Sequence, residues 1–194
     1  KSIRLAALLL VIMLLLPIGY GAYSLMRYGT RWRTSEYNTY LSSLKDSVIA
    51  GDIYDRGGVV LASTDSAGKR VYSADETVRR AVAHVVGDTR GNVKNAAESF
   101  MAEYLYGANM GYLERLSQQL GTGALRGDNV TLSIDSALCK KIYQLFPAAN
   151  NGAVIVMNYQ TGELLALMSF PAFDPQSGAA VTVRQATNRA TRWL

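Results

Sequence analysis

Two serine–lysine pairs have the spacing of acyl-transfer chemistry. Ser42 and Lys45, and Ser66 and Lys69, each form a Ser-x-x-Lys string. On a helix that spacing sets the lysine amine one turn from the serine hydroxyl, where it can accept the proton. Such short strings recur by chance. The first falls on a polar stretch that offers no core to lower the lysine pKa. The second falls in Thr64-Asp65-Ser66-Ala67-Gly68, a loop that cannot hold helical spacing. Neither is read as catalytic.

The other reactive side chains read as structure. His84 is the one histidine and stands among Val82, Val85 and Val86, so a metal cluster or a Ser-His-Asp triad would hang on it alone. It is expected to be buried and satisfied. Cys139 is the one cysteine, which excludes an internal disulfide and a CxxC site. Beside Leu138 and Ile142 it reads as a small buried hydrophobe. Asp55 and Arg56 read as a turn-locking pair, Asp135 as a helix N-cap, and Glu98 and Glu103 as carboxylates on different helix faces. No metal or cofactor is expected.

The elements that hold these residues follow from patterning. Leu5 to Met26 carries no charge and is long enough to cross a bilayer, with Tyr20, Tyr23, Tyr28 and Trp32 at its far end. A cleavable signal peptide shares the run Leu5–Leu16, but the apolar stretch continues past Pro17. Lys1, Arg4, Arg27, Arg31 and Arg33 stand in or beside this segment with no acid. That leaves fifteen of the twenty bases to balance the fifteen acids in the rest, so the net charge of +5 marks a membrane flank and not a nucleic-acid surface. Bases lie at both ends, so charge leaves the orientation open.

Residues 30–46 suit a helix continuing from the span. Residues 47–63 read as a β-hairpin turning at Asp55-Arg56-Gly57-Gly58. Residues 96–105 and 112–120 have helical period, and 121–128 is a glycine-rich loop. From there the order is strand 129–134, helix 136–146 ended by Pro147, and strands 152–158 and 163–169 joined at Tyr159-Gln160-Thr161-Gly162. The last two strands are apolar enough to want cover on both faces, and one helix covers one.

Taken in order, several segments resemble the class B penicillin-binding proteins. Ala50-Gly51-Asp52-Ile53-Tyr54-Asp55-Arg56-Gly57-Gly58-Val59-Val60-Leu61-Ala62 matches that family's Arg-Gly-x-Ile-x-Asp-Arg-x-Gly-x-x-Leu-Ala, with Ala50 in the place of Arg. Arg70-Val71-Tyr72, His84-Val85-Val86-Gly87, Ala97-Glu98 and Leu105-Tyr106-Gly107 look like later landmarks of its non-catalytic pedestal domain. The run Gly127 to Asp135, including Asp128, resembles the first strand of its transpeptidase domain. Gly152 to Val156 and Thr161-Gly162-Glu163 to Ser169 resemble its central hairpin. Pro171-Ala172-Phe173-Asp174-Pro175 and Asn188-Arg189-Ala190 complete the series. The short distance between first landmark and transpeptidase start is similar to the small-pedestal, division-type members.

The resemblance implies an α+β protein: an anchor over 1–27, a juxtamembrane helix and pedestal over 28–127, and the start of a truncated serine transpeptidase domain over 128–194. It implies acyl transfer on peptidoglycan stem peptides, acylation by β-lactams, cell-wall synthesis or division proteins as partners, and a bacterial membrane location with the bulk outside. The catalytic Ser-x-x-Lys is expected just beyond Leu194. The family's Ser-x-Asn and Lys-Thr-Gly triplets do not occur in the 194 residues. The alternative is a non-catalytic, membrane-anchored scaffold that docks cell-division or elongation partners.

Overall fold

The computed structural model describes residues 2–33, 39–146 and 151–191. Helix α1 (Ser2–Arg33) contains a stretch, Ile3–Gly29, long and apolar enough to cross a membrane, and none of it is buried. A helix apolar all round with no protein cover is suited to lipid. The expected continuation into residues 34–38 lies outside the described residues. Helix α2 (Thr39–Ser47) follows and buries Leu41 and Leu44 in the core.

The expected hairpin over 47–63 is only partly formed. Strand β1 (Val48–Ile49) leaves it and pairs in parallel with β5 (Leu125–Arg126). The reason is the Ala50-Gly51-Asp52 step. Its amides bond elsewhere, Gly51 N to Leu105 O at 2.9 Å and Asp52 N to Asn129 Oδ1 at 2.8 Å, so the ladder cannot run through. Strand β2 (Ile53–Tyr54) does form the hairpin, with β3 (Val60–Thr64), and β4 (Arg70–Tyr72) extends it.

Short helices α3 (Glu76–Ala81), α4 (Ala83–Val86), α5 (Ala97–Phe100) and α6 (Ala102–Leu105) come next. The single helix expected over 96–105 is two, broken at Met101. Helix α7 (Tyr112–Thr122) runs into the expected loop and ends at Gly123 in the left-handed region, and β5 occupies the rest of that loop.

Only Val130–Thr131 of the expected strand 129–134 is laddered. This strand, β6, pairs in parallel with β2 and completes a sheet of order β4-β3-β2-β6. The expected domain division near 121–128 precedes a strand that shares one sheet with β2, β3 and β4. Helix α8 (Ser136–Leu145), strands β7 (Gly152–Met157) and β8 (Leu164–Phe170), and helix α9 (Val183–Ala186) follow. Strands β7 and β8 form the expected antiparallel hairpin, closed by Gly162 at φ +77° with its amide on Asn158 O. Pro147 lies outside the described residues.

One core joins these parts. Ile53, Leu61 and Leu105 from the first sheet and its helices meet Cys139 of α8 and Ala166, Met168 and Phe170 of β8. Phe146 and Phe170 stack at 4.0 Å between ring centres. On the opposite face of β7, Ile155 is 52% and Met157 57% exposed, so this face lacks the cover its composition calls for.

Candidate functional site

The hairpin turn is built around one carboxylate. Asp55 is buried, and its Oδ1 accepts from Gly57 N and Val59 N, each at 2.8 Å, which closes the turn. Gly58 supplies the positive φ of +82° that the turn needs. Asp55 Oδ2 reaches across to the start of α8, accepting from Ser136 Oγ at 2.6 Å and Ser136 N at 3.2 Å. Burial pushes the Asp55 carboxyl up, but the hydrogen bonds from Ser136, Val59 and Gly57 outweigh it, and the pKa falls below the ordinary value. Arg56 is not its partner. The Arg56 amide donates to Ile134 O at 3.0 Å, and its half-exposed guanidinium stands 3.8 Å from Glu163. The turn expected to be locked by Asp55 with Arg56 is instead closed by Asp55 on the Gly57 and Val59 amides, and the other carboxylate oxygen joins Ser136.

Beside that turn the backbone is packed without room for side chains. A Cβ on Gly51 would stand 1.9 Å from Asp128 O, and one on Gly127 the same distance from Leu105 O. Ile53 is fully buried between Ala62 and Val130. Asp128 is exposed and accepts from Asn109 Nδ2 at 2.9 Å. Asp135 is the expected N-cap of α8, its Oδ1 accepting from Leu138 N at 2.9 Å. Gly152 faces Phe146, whose Cζ would be 3.0 Å from a Cβ there. Thr161 Oγ1 donates to Glu163 Oε2 at 3.0 Å.

The last landmarks lie together. Asp174 holds Arg79 through both oxygens, at 2.6 and 2.8 Å, and Pro175 follows it into a turn where Gln176 N donates to Asp174 Oδ1. The Arg79 guanidinium holds the Asp174 carboxyl below its ordinary pKa. Asn188 Oδ1 accepts from Ala190 N at 3.1 Å, and Arg189 N donates to Ser169 Oγ at 3.1 Å. A cleft of about 220 Å³ opens beside Asn188, walled by His84, Ile134, Leu164 and Leu167.

Neither serine–lysine string carries a serine–lysine hydrogen bond among the described residues. Ser42 is exposed on α2, while Lys45 donates to Thr89 O at 3.0 Å and lies 5.7 Å from the centre of the Tyr106 ring. The helix does face the core, contrary to expectation, so it is this engagement of Lys45 that separates the two groups from a nucleophile–base pair. Ser66 and Lys69 flank a tight turn in which Asp65 Oδ1 accepts from Ala67 N and Lys69 N. His84 is buried as expected but only half satisfied. Its Nε2 faces Gln185 O at 2.7 Å and so carries the proton, Nδ1 has no partner among the described residues, and burial lowers the pKa. Cys139 is buried, and burial pushes its thiol up to about 12. Among the described residues no three of His, Cys, Asp and Glu are grouped so as to hold a metal ion.

Sequence reading missed two ion pairs, one buried and one partly buried. Arg70 Nε meets Glu98 Oε1 at 2.7 Å in the interior, with Arg70 Nη1 on Gly51 O at 2.7 Å. Arg79 and Asp174 are 95 residues apart. Neither pair has a local spacing that could have shown it; a charged residue at a core-facing position, as with Glu98 beside Ala97 and Ala102, is the one available hint.

No protein-family model matches the chain. Among curated proteins it is 36% identical over 70 residues to the probable peptidoglycan D,D-transpeptidase PenA of Neisseria flavescens, covering 33% of this chain and 18% of that protein. To the protein of the same description from Neisseria gonorrhoeae it is 27% identical over 126 residues, covering 56% and 22%. The chain thus spans about a fifth of the length of these relatives. The imipenem acyl-enzyme of penicillin-binding protein A from M. tuberculosis superposes with a TM-score of 0.57 at 26% identity, over 75% of this chain and 38% of that one. The penicillin G acyl-enzyme gives 0.53 at 26% identity, over 66% and 31%.

The fold is of the penicillin-binding transpeptidase type, mixed helix and sheet behind an apolar N-terminal helix. Over the residues matched, the chain is similar to penicillin-binding proteins, and the curated relatives among them are described as peptidoglycan D,D-transpeptidases.

Proposed function

We propose that this chain forms the anchor, the pedestal and the opening part of the transpeptidase domain of a peptidoglycan D,D-transpeptidase. Residues 1–27 serve as a single-pass anchor with the amino terminus inside, 28–127 as the pedestal, and 128–194 as the start of the catalytic domain on the outer side. The observation that carries the reading is the Asp55–Ser136 link, because it ties the family's pedestal turn to the helix that opens its transpeptidase domain. The protein takes the D-Ala-D-Ala end of a stem peptide, forms an acyl-enzyme on a serine, and passes the acyl group to a neighbouring amine. β-Lactams acylate the same serine. That serine stands in a Ser-x-x-Lys following Asn188-Arg189-Ala190, and Ser42 and Ser66 take no part.

A fluorescent penicillin tests this on the intact gene product. Covalent label is expected on a serine after residue 194, with none on peptides spanning 1–194. Label on Ser42 or Ser66, or none anywhere, overturns the reading.

A second reading has one observation in its favour. Helix α7 turns Leu113 and Leu120 outward, 79% and 80% exposed and two turns apart on one face. A scaffold that docks a cell-division or elongation protein would use such a face. A coding sequence that stops without Ser-x-x-Lys, together with partner loss on L113E/L120E, supports it.

A further inference from the structure

Residues 171–191 form a strap that leaves β8, crosses the pedestal and brings Asn188-Arg189-Ala190 back beside Ser169. Pedestal residues grip it at every stage. Phe173 is buried with Ala83, Val93 and Ala96. Gln176 Oε1 accepts from Tyr72 N at 2.9 Å, filling an amide that edge strand β4 leaves without a neighbouring strand. Arg90 Nη1 donates to Gly178 O at 3.0 Å, and His84 Nε2 to Gln185 O at 2.7 Å. The one forked contact in this series is Arg79 on Asp174, with both side chains largely buried at 14% and 8% exposure. Arg79 is itself fixed, since its Nη1 donates to Ser73 O at 2.9 Å.

We propose, resting on the transpeptidase reading above, that Arg79 is a positioning residue: by holding both oxygens of Asp174 it sets the path of the strap, and through the strap the place of Asn188-Arg189-Ala190 beside Ser169. A planar fork on a carboxylate fixes direction as well as distance, which a lysine cannot do. The pedestal thereby sets the geometry of a segment 95 residues further on. The same strap ends against Ser169, whose Oγ donates to Thr187 O at 2.9 Å, so a shift at Asp174 is confined between two fixed points.

Hydrogen exchange on the full chain in detergent tests the positioning directly. In R79M, amides of 173–187 are expected to exchange on the order of a hundredfold faster, with Ile53, Leu61 and Leu105 unchanged. The charge exchange R79D/D174R is expected to restore protection, and Arg79→Lys to restore part of it. Unchanged strap protection in R79M, or a loss spread evenly over the pedestal core, overturns the proposal. On the intact gene product the same variants are expected to slow acylation by labelled penicillin, in the order of their strap protection. An acylation rate that ignores strap protection also overturns the proposal. A wild-type protein that takes no label removes the transpeptidase reading, while the exchange data still decide whether Arg79 positions the strap.

Discussion

Asp55 and Ser136, 81 positions apart in the chain, share a hydrogen bond of 2.6 Å between Oδ2 and Oγ. One carboxylate thus closes the β2–β3 turn and receives the first amide and hydroxyl of α8. Asp135, next to Ser136, caps the same helix in the ordinary way, through one contact.

Replacing the two aspartates separates these jobs. Asp55→Ala strands the buried amide and hydroxyl of Ser136, opens the turn held by the Gly57 and Val59 amides, and is expected to cost about 3 kcal/mol. Asp135→Ala is expected to cost only ~1 kcal/mol, the worth of a cap. Urea unfolding of the two variants beside the wild type checks the ordering.

Gly51→Ala tests one of two equally tight backbone approaches, the other being at Gly127. The new methyl would stand 1.9 Å from Asp128 O, and backbone on both sides cannot yield as a side chain can. A loss of about 3 kcal/mol is expected. Gly57→Ala, whose nearest contact is a carboxylate oxygen at 3.4 Å, is expected to cost much less. Thermal unfolding midpoints of the two decide it.

Acid is expected to loosen the strap and the turn together. The carboxyls of Asp174 and Asp55 both titrate below their ordinary value in the fold, the first because of Arg79 and the second because its hydrogen bonds outweigh burial. The unfolded chain therefore takes up their protons first. Their stabilisation is present above the unfolded value of about 3.9 and is lost as pH falls through the folded values. The melting midpoint should fall as pH drops from about 5 to about 2, and less steeply in D174N.

The outer face of β7 is expected to bind a hydrophobic dye. Ile155 and Met157 stand exposed there, side by side at strand spacing. I155K/M157K should abolish most of the dye signal while changing stability by less than about 0.5 kcal/mol. Unaltered dye binding would place the sticky surface elsewhere.

What the sequence made legible was whatever is local. The apolar N-terminal helix, the capped helix after Asp135 and the hairpin turning at Gly162 each rest on residues within a few positions of one another. What it hid was decided at long range. Val48–Ile49 looks like a hairpin arm but pairs with Leu125–Arg126, and no pattern near residue 48 announces residue 125. The glycine-rich run after residue 120 reads as loop because its strand is two residues long and draws its hydrogen bonds from β1. Asp55 was placed correctly in its turn but given Arg56 as partner, because adjacency is visible in a sequence and Ser136 is not. Asp174 and Arg79 carried no mark of each other at all.

The parallel pairing of β2 with β6 also has a consequence for biogenesis. Ile53 meets Val130 and Tyr54 meets Thr131, so the sheet's central strand waits for residues synthesised much later. A nascent chain that has yet to deliver Val130, 77 positions after Ile53, holds β2, β3 and β4 with one flank bare. Loop closure of that length is slow beside local hairpin formation. The interval is a window in which a chaperone, or a neighbouring strand from another nascent chain, can reach the bare flank of β2 before its proper mate has been made.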